Sequence, residues 1–250
     1  MGVTYGDRAS GAGPGNVDAA VFGVVRAGNA YEETVERLLR VIKLGIVPLG
    51  ERLPPERELA NRLGVSRVTL REAIRSLQQA GYVEPRRGRF GGTFVLYRPR
   101  PSTAEARRIA GVLGGSLEDA LTFRRVLEPG VAEAVAQRQL SKLQESTLRE
   151  RLNEVEAAPM TTYRQADARL HLTIAELTGS PMVTRAVAEV RMLLNDLLDA
   201  IPPLDPPITH SNEQHSALVR ALLTHNVRQA RKVMEEHVDA TAALLRGFLS

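Results

Sequence analysis

The sequence has no cysteine and no tryptophan, and aromatic residues make up only 4% of its 250 residues. The lack of cysteine excludes a disulfide framework, thiol catalysis and zinc sites built from cysteine. The scarcity of aromatic rings disfavours a stacking platform for single-stranded nucleic acid. No stretch approaches the roughly 18 uninterrupted apolar residues of a membrane-spanning helix, and residues 19–25, which are apolar but short and lack a basic leader, are not typical of a signal peptide. We therefore expect a cytoplasmic protein without membrane contact.

Lysine is also rare, and the basic residues are unevenly distributed along the chain. Three lysines accompany 30 arginines. Residues 1–100 hold 16 basic against 10 acidic residues, whereas residues 101–250 hold 17 against 19. A genomic bias in composition would explain the preference for arginine, but it would not explain this imbalance. The excess of positive charge predicts that the first part of the chain binds a polyanion.

The first part of the chain has the pattern of a small folded domain over residues 31–97. Residues 1–30, which begin with a glycine-rich stretch, are predicted to form a flexible leader. Apolar periodicity predicts three helices, at about 31–44, 56–63 and 66–80. Two short strands, at 82–85 and 93–96, then flank a glycine-rich turn with three arginines. This order of elements is typical of a winged helix-turn-helix, in which helices precede a small β hairpin.

The rest of the chain is predicted to be entirely helical. Residues 98–115 begin with closely spaced prolines and are expected to form a linker. Residues 116–250 show five or six helical segments, and Ser141 with Gln144 has the spacing of a capping box. We expect an antiparallel helical bundle here, so the chain as a whole belongs to the mainly α class.

The third predicted helix places two arginines where a helix-turn-helix contacts DNA. In that motif the N-terminal residues of the second of its two helices reach base edges in the major groove. Arg67 and Arg71 are four residues apart and share one face, while Leu70 and Ile74 lie on the opposite face. An arginine fork can bond both acceptors of guanine, which discriminates against other bases by about 1–3 kcal/mol. The alternative is that these are solvated arginines of an amphipathic helix.

Further basic residues flank this helix in the order that DNA binding requires. Arg57 opens the preceding helix, near the expected position of the phosphate backbone. Arg87 and Arg89 lie at the predicted tip of the wing, and Gly88 between them allows close approach to phosphate or to the minor groove. Taken together, the groove arginines and the basic wing favour a domain that binds double-stranded DNA.

A metal site is predicted in the helical domain. Asp167 and His171 are spaced to lie on one face of a helix, and His215 and His237 lie on the apolar stripes of two later helices. A single inward histidine is usually a satisfied core residue, but two of them together with an Asp-x-x-x-His pair, on three separate helices, need a common explanation. One carboxylate and three imidazoles suit a divalent transition metal such as zinc, nickel or manganese.

Residues 31–97 resemble the DNA-binding domain of the GntR family of bacterial transcription regulators. The residues that carry the resemblance are Pro48 to Ala60, Leu63 to Arg67, Thr69 to Ala73, Leu77, Gly81, and the wing residues Arg87 to Arg89 with Gly92 to Val95. The wing is one or two residues longer than the usual pattern. The resemblance implies that Arg57, Arg67 and Arg71 bind an operator, with Ser66 and Thr69 contacting the backbone. It also implies a homodimer that binds a palindromic site.

Residues 116–249 resemble the FCD ligand domain of FadR-type GntR regulators. The markers are Arg124 to Pro129, Asp167 to His171, Glu213 to His215, and Ala230 to His237. The resemblance implies a metal held by Asp167, His171, His215 and His237, and a small carboxylate effector that coordinates it. It also implies that Arg124 faces the cavity, although a salt bridge between Arg124 and Glu128 is the plain alternative. Because a bundle core has little room, we expect the effector to be small.

Three functions compete on the sequence alone. The first is a ligand-responsive transcription regulator, which is not an enzyme. The second is a metal sensor, in which the ion itself is the signal. The third is a helical metallohydrolase that would activate water, but this needs a further acidic residue as a general base near the metal, and the inward stripes offer none that can be identified. We therefore favour the first reading.

Overall fold

The computed structural model describes residues 30–88, 91–97, 115–199 and 205–249. Within these ranges the chain forms nine helices and one two-stranded sheet. In chain order the elements are α1 (Ala30–Lys43), α2 (Glu56–Leu63), α3 (Arg67–Gln79), β1 (Val83–Arg86), β2 (Gly92–Val95), α4 (Gly115–Ala136), α5 (Lys142–Glu156), α6 (Tyr163–Leu177), α7 (Pro181–Asp199), α8 (Asp205–Leu223) and α9 (Val227–Leu249). The predicted leader, most of the predicted linker and Arg89 lie outside the described residues.

Local sequence signals explain how α2 and α3 meet. Helix α2 ends at Gly64, whose φ of 68° is a left-handed conformation that glycine adopts without steric cost. The Ser66 hydroxyl then accepts a hydrogen bond from the Thr69 backbone N–H and caps α3, as the sequence predicts. Pro55 stands at the cap position of α2 and not in its first turn, because the helix begins at Glu56.

The wing is an antiparallel hairpin whose strands are each displaced by one residue from the predicted bounds. Val83 pairs with Val95, and Arg86 pairs with Gly92. The ladder therefore includes Arg86 and Gly92, which the sequence pattern had placed in the turn, and the turn is correspondingly shorter. A Cβ at Gly92 would lie 2.4 Å from Cδ of Arg52, so a larger residue here would have to displace the Arg52 side chain.

The second part of the chain is a bundle of six helices, α4 to α9, within the predicted range of five or six. Helix α9 packs against α4 and α8, and α6 packs against α5 and α7. The predicted capping box is formed, since Ser141 and Gln144 bond each other's backbone N–H. Asn226 caps α9 by accepting a hydrogen bond from the Gln229 N–H. In the part of the chain described here, no helix is long and apolar enough to cross a membrane.

The end of α1 packs directly on α6 and α7 of the bundle. Gln165 donates a hydrogen bond of 3.3 Å to the Ile42 carbonyl, and Arg169 donates one of 3.1 Å to the Gly45 carbonyl. Lys43 lies 2.8 Å from the Asp196 carboxylate. The helix that carries Asp167 and His171 is therefore in contact with the first part of the chain, at the end of α1.

Candidate metal centre and DNA-reading helix

Four buried side chains from three helices converge inside the bundle. Asp167 and His171 lie one turn apart on α6, while His215 comes from α8 and His237 from α9. One ligand atom from each of the four lies within 4.8 Å of the others. The structure thus brings together the four residues that the sequence singles out.

The spacing of these atoms fits a metal ion after a small contraction. His215 Nε2 lies 3.0 Å from Asp167 Oδ1, and His171 Nε2 lies 3.7 Å from the same oxygen. Two nitrogen ligands at about 2.0–2.1 Å from an ion are at most about 4.2 Å apart. The limit of 4.8 Å exceeds this by about 0.6 Å, so side-chain rotation has to bring the ligand atoms closer together before they can share one ion.

Two further residues fix the orientation of the imidazole rings. Glu128 Oε2 lies 2.5 Å from Nδ1 of His171, and Gln214 Oε1 lies 3.2 Å from Nδ1 of His237. An acceptor at Nδ1 holds the ring proton there and leaves the Nε2 lone pair for a metal. Among the described residues, both ring nitrogens of His171 and of His215 are buried without a hydrogen bond of ordinary geometry, although Glu128 Oε2 lies close to His171 Nδ1. An orphaned buried nitrogen of this kind is what a metal ligand looks like before the ion binds.

The charges in the site favour metal binding at neutral pH. Burial together with the nearby Arg191 guanidinium lowers the pKa of His171 to about 4, so its ring is neutral. Burial and the neighbouring His215 and His171 rings place the pKa of His237 well below its usual range. Burial alone would raise the pKa of Asp167, but Arg191 and the histidines bring it well below its usual range. Neutral imidazoles and an ionised carboxylate are the protonation states that a cation requires.

A buried network of two arginines and one glutamate surrounds the four residues. Arg124 is fully buried, and its Nε donates a 2.8 Å hydrogen bond to Oε1 of Glu128. Its Nη1 has no hydrogen-bond partner in the described ranges. Arg191, from α7, forms an ion pair with Asp167 and lies 3.9 Å from the same Glu128 oxygen. Two cations thus stand beside the candidate site, and the salt bridge expected between Arg124 and Glu128 is present but lies in the core.

A half-open cavity of about 350 Å³ leads from the surface to the candidate site. Asp167, His237 and Arg191 form part of its wall, whereas Arg124 is not among its lining residues. The volume lies within the range of about 300–1,000 Å³ that ligand pockets occupy. It is larger than the sequence-based expectation of a core with little room.

The arginines of α3 are exposed and share one acidic partner. The side chains of Arg67 and Arg71 are 58% and 59% exposed. Glu56, at the start of α2, lies 3.9 Å from Arg67 and 2.8 Å from Arg71 through one carboxylate oxygen. One carboxylate oxygen therefore lies close to both guanidinium groups on the exposed side of α3.

The structure describes most of the other predicted DNA contacts. Arg57 is exposed on the first turn of α2, and Thr69 is half-buried beside the Ser66 cap. Arg87 and Gly88 are exposed at the end of β1, and Gly88 has a φ of 105°, which favours glycine. Arg89 lies outside the described residues.

Three residues of the site were not found from the sequence. Glu128 and Gln214 orient imidazoles, and Arg191 pairs with Asp167 and lines the cavity. Arg191 had a readable signal, because it is a single charge within the otherwise apolar run from Val190 to Leu194. A charge in a buried helical stripe is seldom retained without a partner. Gln214 carries no such signal, since a glutamine beside a histidine is common on helix surfaces.

Comparison with known proteins identifies the family. The model of the "Bacterial regulatory proteins, gntR family" matches residues 30–95, and the model of the FCD domain matches residues 119–240. The chain belongs to the GntR family of bacterial regulatory proteins. As a GntR-family protein with an FCD ligand-binding domain it is a DNA-binding transcription regulator and not an enzyme. The winged helix-turn-helix and the helical second domain agree with that family.

Named relatives of this GntR-family chain are regulators. It is 34% identical to the HTH-type transcriptional regulator RmpR of Mycobacterium gastri over 82% of this chain and 76% of the relative. It is 30% identical to an L-lactate dehydrogenase operon regulatory protein of Escherichia coli, over 87% of this chain and 86% of the relative. A solved structure, GntR of Streptococcus agalactiae, is similar with a TM-score of 0.45 and 27% identity, covering 86% of this chain and 99% of that one.

Proposed function

We propose that this GntR-family protein is a ligand-responsive transcription regulator that binds a palindromic operator as a homodimer and senses a small carboxylate at a metal centre. The observation that carries the proposal is the convergence of Asp167, His171, His215 and His237 beside an accessible cavity, whose wall includes Asp167 and His237. A metal ion with a purely structural role would need no cavity beside it. A cavity that opens to solvent beside a buried cation suits a ligand that binds reversibly.

Zinc, nickel and manganese fit the donor set of three imidazoles and one carboxylate. FCD domains often bind a metal, which supports the assignment. When bound, the ion would supply a Lewis-acidic centre for an anionic oxygen. Arg191 lies beside Asp167 and would donate hydrogen bonds to the same anion, and Arg124, with a free Nη1 nearby, would add to the positive potential.

The DNA-reading part of the proposal rests on the exposed face of α3. Arg67 and Arg71 are assigned to base edges in the major groove, with Ser66 and Thr69 contacting the backbone. Arg57 is assigned to a phosphate. Arg87 and Gly88, together with Arg89, are assigned to the wing contact. The shared partner Glu56 supports the first assignment, because it orders both guanidinium groups on one face before DNA binds.

An exposed apolar stripe on α4 supports the homodimer. Phe123 is 47% exposed and Val126 is 73% exposed, and Gly130 follows on the same face with open space around it. Residues spaced by three and four positions share one face of a helix, and a glycine there allows a second helix to approach closely. A two-fold dimer buries the same patch of both subunits and matches a palindromic operator.

Native mass spectrometry with metal analysis of the purified protein tests these assignments together. We expect a dimer with one divalent ion per subunit. His215→Ala/His237→Ala should lose the ion, whereas His210→Ala, an exposed histidine on the same helix as His215, should keep it. The operator affinity of the wild type and of the double variant is then measured while small carboxylates are titrated in. If metal content and the effector response both survive the double substitution, the histidines only fill the core and the sensing site lies elsewhere.

Two other results would change the proposal in defined ways. If the metal alone changes operator affinity and no carboxylate adds to the change, the protein is a metal sensor. If the protein is a monomer at micromolar concentration and binds an asymmetric site tightly, the dimer on a palindrome is wrong.

A further inference from the structure

The cavity above the metal centre is arranged in layers that follow the turns of four helices. The inner layer is formed by Asp167, His237 and Arg191. The helices that carry these residues continue outward and place new side chains on the cavity wall at each turn. The chemistry of the wall therefore changes with distance from the candidate metal.

Helix geometry gives the depth of each layer. On α8, Ser211 lies four residues before His215, and Ile208 lies seven residues before it. On α9, Thr241 lies four residues after His237, and Leu244 lies seven residues after it. With a rise of 1.5 Å per residue, the second layer lies about 6 Å and the third about 10 Å from the ligand-bearing positions.

The middle layer is polar. The Thr241 hydroxyl donates a 3.1 Å hydrogen bond to the His237 carbonyl, so its lone pairs are left as acceptors on the cavity side. Arg164 and Ser211 also lie on the wall at this depth. A ligand atom that passes this layer meets hydroxyl groups and one further cation.

The outer layer is aliphatic. Leu198 from α7, Ile208 from α8 and Leu244 from α9 surround the mouth of the cavity, and each is half-buried. Leu244 packs against neither hydrophobic cluster of the bundle. Three partly exposed aliphatic side chains around one opening leave apolar surface in water, which a hydrocarbon group of a ligand would cover.

We infer that the carboxylate sensed by this protein carries a hydrocarbon chain of medium length. The carboxylate lies at the inner layer beside Arg191, the chain passes Ser211 and Thr241, and its end packs against Leu198, Ile208 and Leu244. This rests on the proposed function, since it takes the metal centre as the anchor of the acid. An acid of two or three carbons would reach only the inner layer and leave the aliphatic ring uncovered.

A homologous series of straight-chain acids tests the inference. Acetate, butyrate, hexanoate and octanoate are titrated into the metal-loaded full-length protein by isothermal calorimetry. Burial of one methylene contributes about 0.8 kcal/mol, which is about fourfold in affinity. We therefore expect octanoate to bind on the order of a hundredfold more tightly than butyrate. Octanol has the same chain without the acid, and it should bind far more weakly than octanoate.

A matched pair of leucine substitutions assigns the effect to the outer layer. Leu244→Ser should weaken octanoate binding about tenfold or more and leave acetate binding unchanged. Leu143→Ser is the control, because Leu143 is 55% exposed on α5 and does not line the cavity. It should change neither affinity. Equal thermal midpoints of the two metal-loaded variants show that folding is not the cause.

The possible results distinguish a failure of the hydrocarbon-chain inference from a failure of the proposed function. If octanoate binds no more tightly than butyrate, or if Leu244→Ser binds it as well as the wild type, the hydrocarbon chain is wrong while the metal centre and a short acid remain supported. If octanol binds as tightly as octanoate, the acid is not the anchor and the inference fails. If the metal-loaded protein binds none of the four acids, and no acid changes its operator affinity, the proposed function fails as well.

Discussion

A glycine at the junction of the two domains offers a sharp test of how they are packed together. Gly45 ends α1 with a φ of 66°, and its N–H donates to the Ile42 carbonyl while the next N–H donates to the Val41 carbonyl. This is the hydrogen-bond pattern of a Schellman motif, in which the terminal residue is left-handed. A Cβ at this position would lie 2.7 Å from Cβ of Gln165 and 2.8 Å from Nη1 of Arg169. Gly45→Ala therefore places a non-glycine residue in the left-handed region and also creates a steric clash with Gln165 and Arg169 of α6.

Gly50→Ala is a control that has the backbone cost alone. Gly50 has a φ of 82°, and a Cβ there would have no neighbour within 4 Å. A non-glycine residue in the left-handed region costs about 1–2 kcal/mol, and alanine recovers about 0.4–1 kcal/mol by restricting the unfolded chain. We therefore expect Gly50→Ala to lower the free energy of unfolding by about 1 kcal/mol. Overpacking adds about 1–3 kcal/mol, so Gly45→Ala should lower it by about 2–4 kcal/mol.

Urea denaturation of both variants, followed by circular dichroism at a fixed metal concentration, measures the difference. The collision falls on α6, so the same substitution should also alter the effect of a bound carboxylate on operator affinity, whereas Gly50→Ala should leave that effect unchanged. If Gly45→Ala is no less stable than Gly50→Ala, then α1 and α6 are not in the contact described above.

The remaining predictions concern DNA, the metal and pH. Arg67→Ala and Arg71→Ala should each weaken the free energy of operator binding by about 1–3 kcal/mol, whereas Arg57→Ala should weaken binding to all sequences and flatten its salt dependence. Fluorescence anisotropy with operator DNA and with scrambled DNA measures both effects. Unchanged operator affinity of Arg67→Ala at fixed salt would refute the groove assignment. Glu128→Gln should lower metal affinity about 10–100-fold in a chelator competition, because it no longer holds the His171 ring proton, and Glu133→Gln on the same helix should have no effect. The metal-free protein should lose stability as the pH falls from about 6.5, where His171 titrates in the unfolded chain, toward a pKa of about 4 in the folded protein. The free energy of unfolding falls by about 1.4 kcal/mol per pH unit for each such histidine. Equal urea midpoints at pH 7 and pH 5 would contradict this prediction.

The parts of the fold that follow from neighbouring residues could be predicted. Ser66 and Asn226 cap their helices because a cap depends only on a side chain and the next few N–H groups. Asp167 and His171 meet because four residues make about one helical turn. The strand bounds were displaced by one residue, since the register of a hairpin is decided by contacts across the strands and not by the local pattern of either strand.

The parts of the site that depend on tertiary placement could not be predicted. The sequence gives no indication that Arg191 from α7 would reach Asp167 on α6, because the angle at which these helices cross decides it. The size of the cavity was also not predicted, since its volume depends on how far four helices stand apart and not on the composition of any one of them. His215 and His237 were recognisable because each lies on an apolar stripe, so these predicted metal ligands could be named before the residues that contact them.

The contacts between α1 and α6 have a strength that suits them to regulation. Gln165 and Arg169 flank Asp167 on the outer side of α6 and bond carbonyls at the end of α1. Two such hydrogen bonds contribute about 0.5–1.5 kcal/mol each, and the pair of Lys43 with Asp196 adds a contribution of similar size. Coupling between two binding sites is typically about 1–3 kcal/mol. A ligand can change the arrangement only by as much as its affinities for the two arrangements differ. A carboxylate that binds one position of α6 about a hundredfold more tightly would supply about 2.7 kcal/mol, which is comparable with the sum of these contacts.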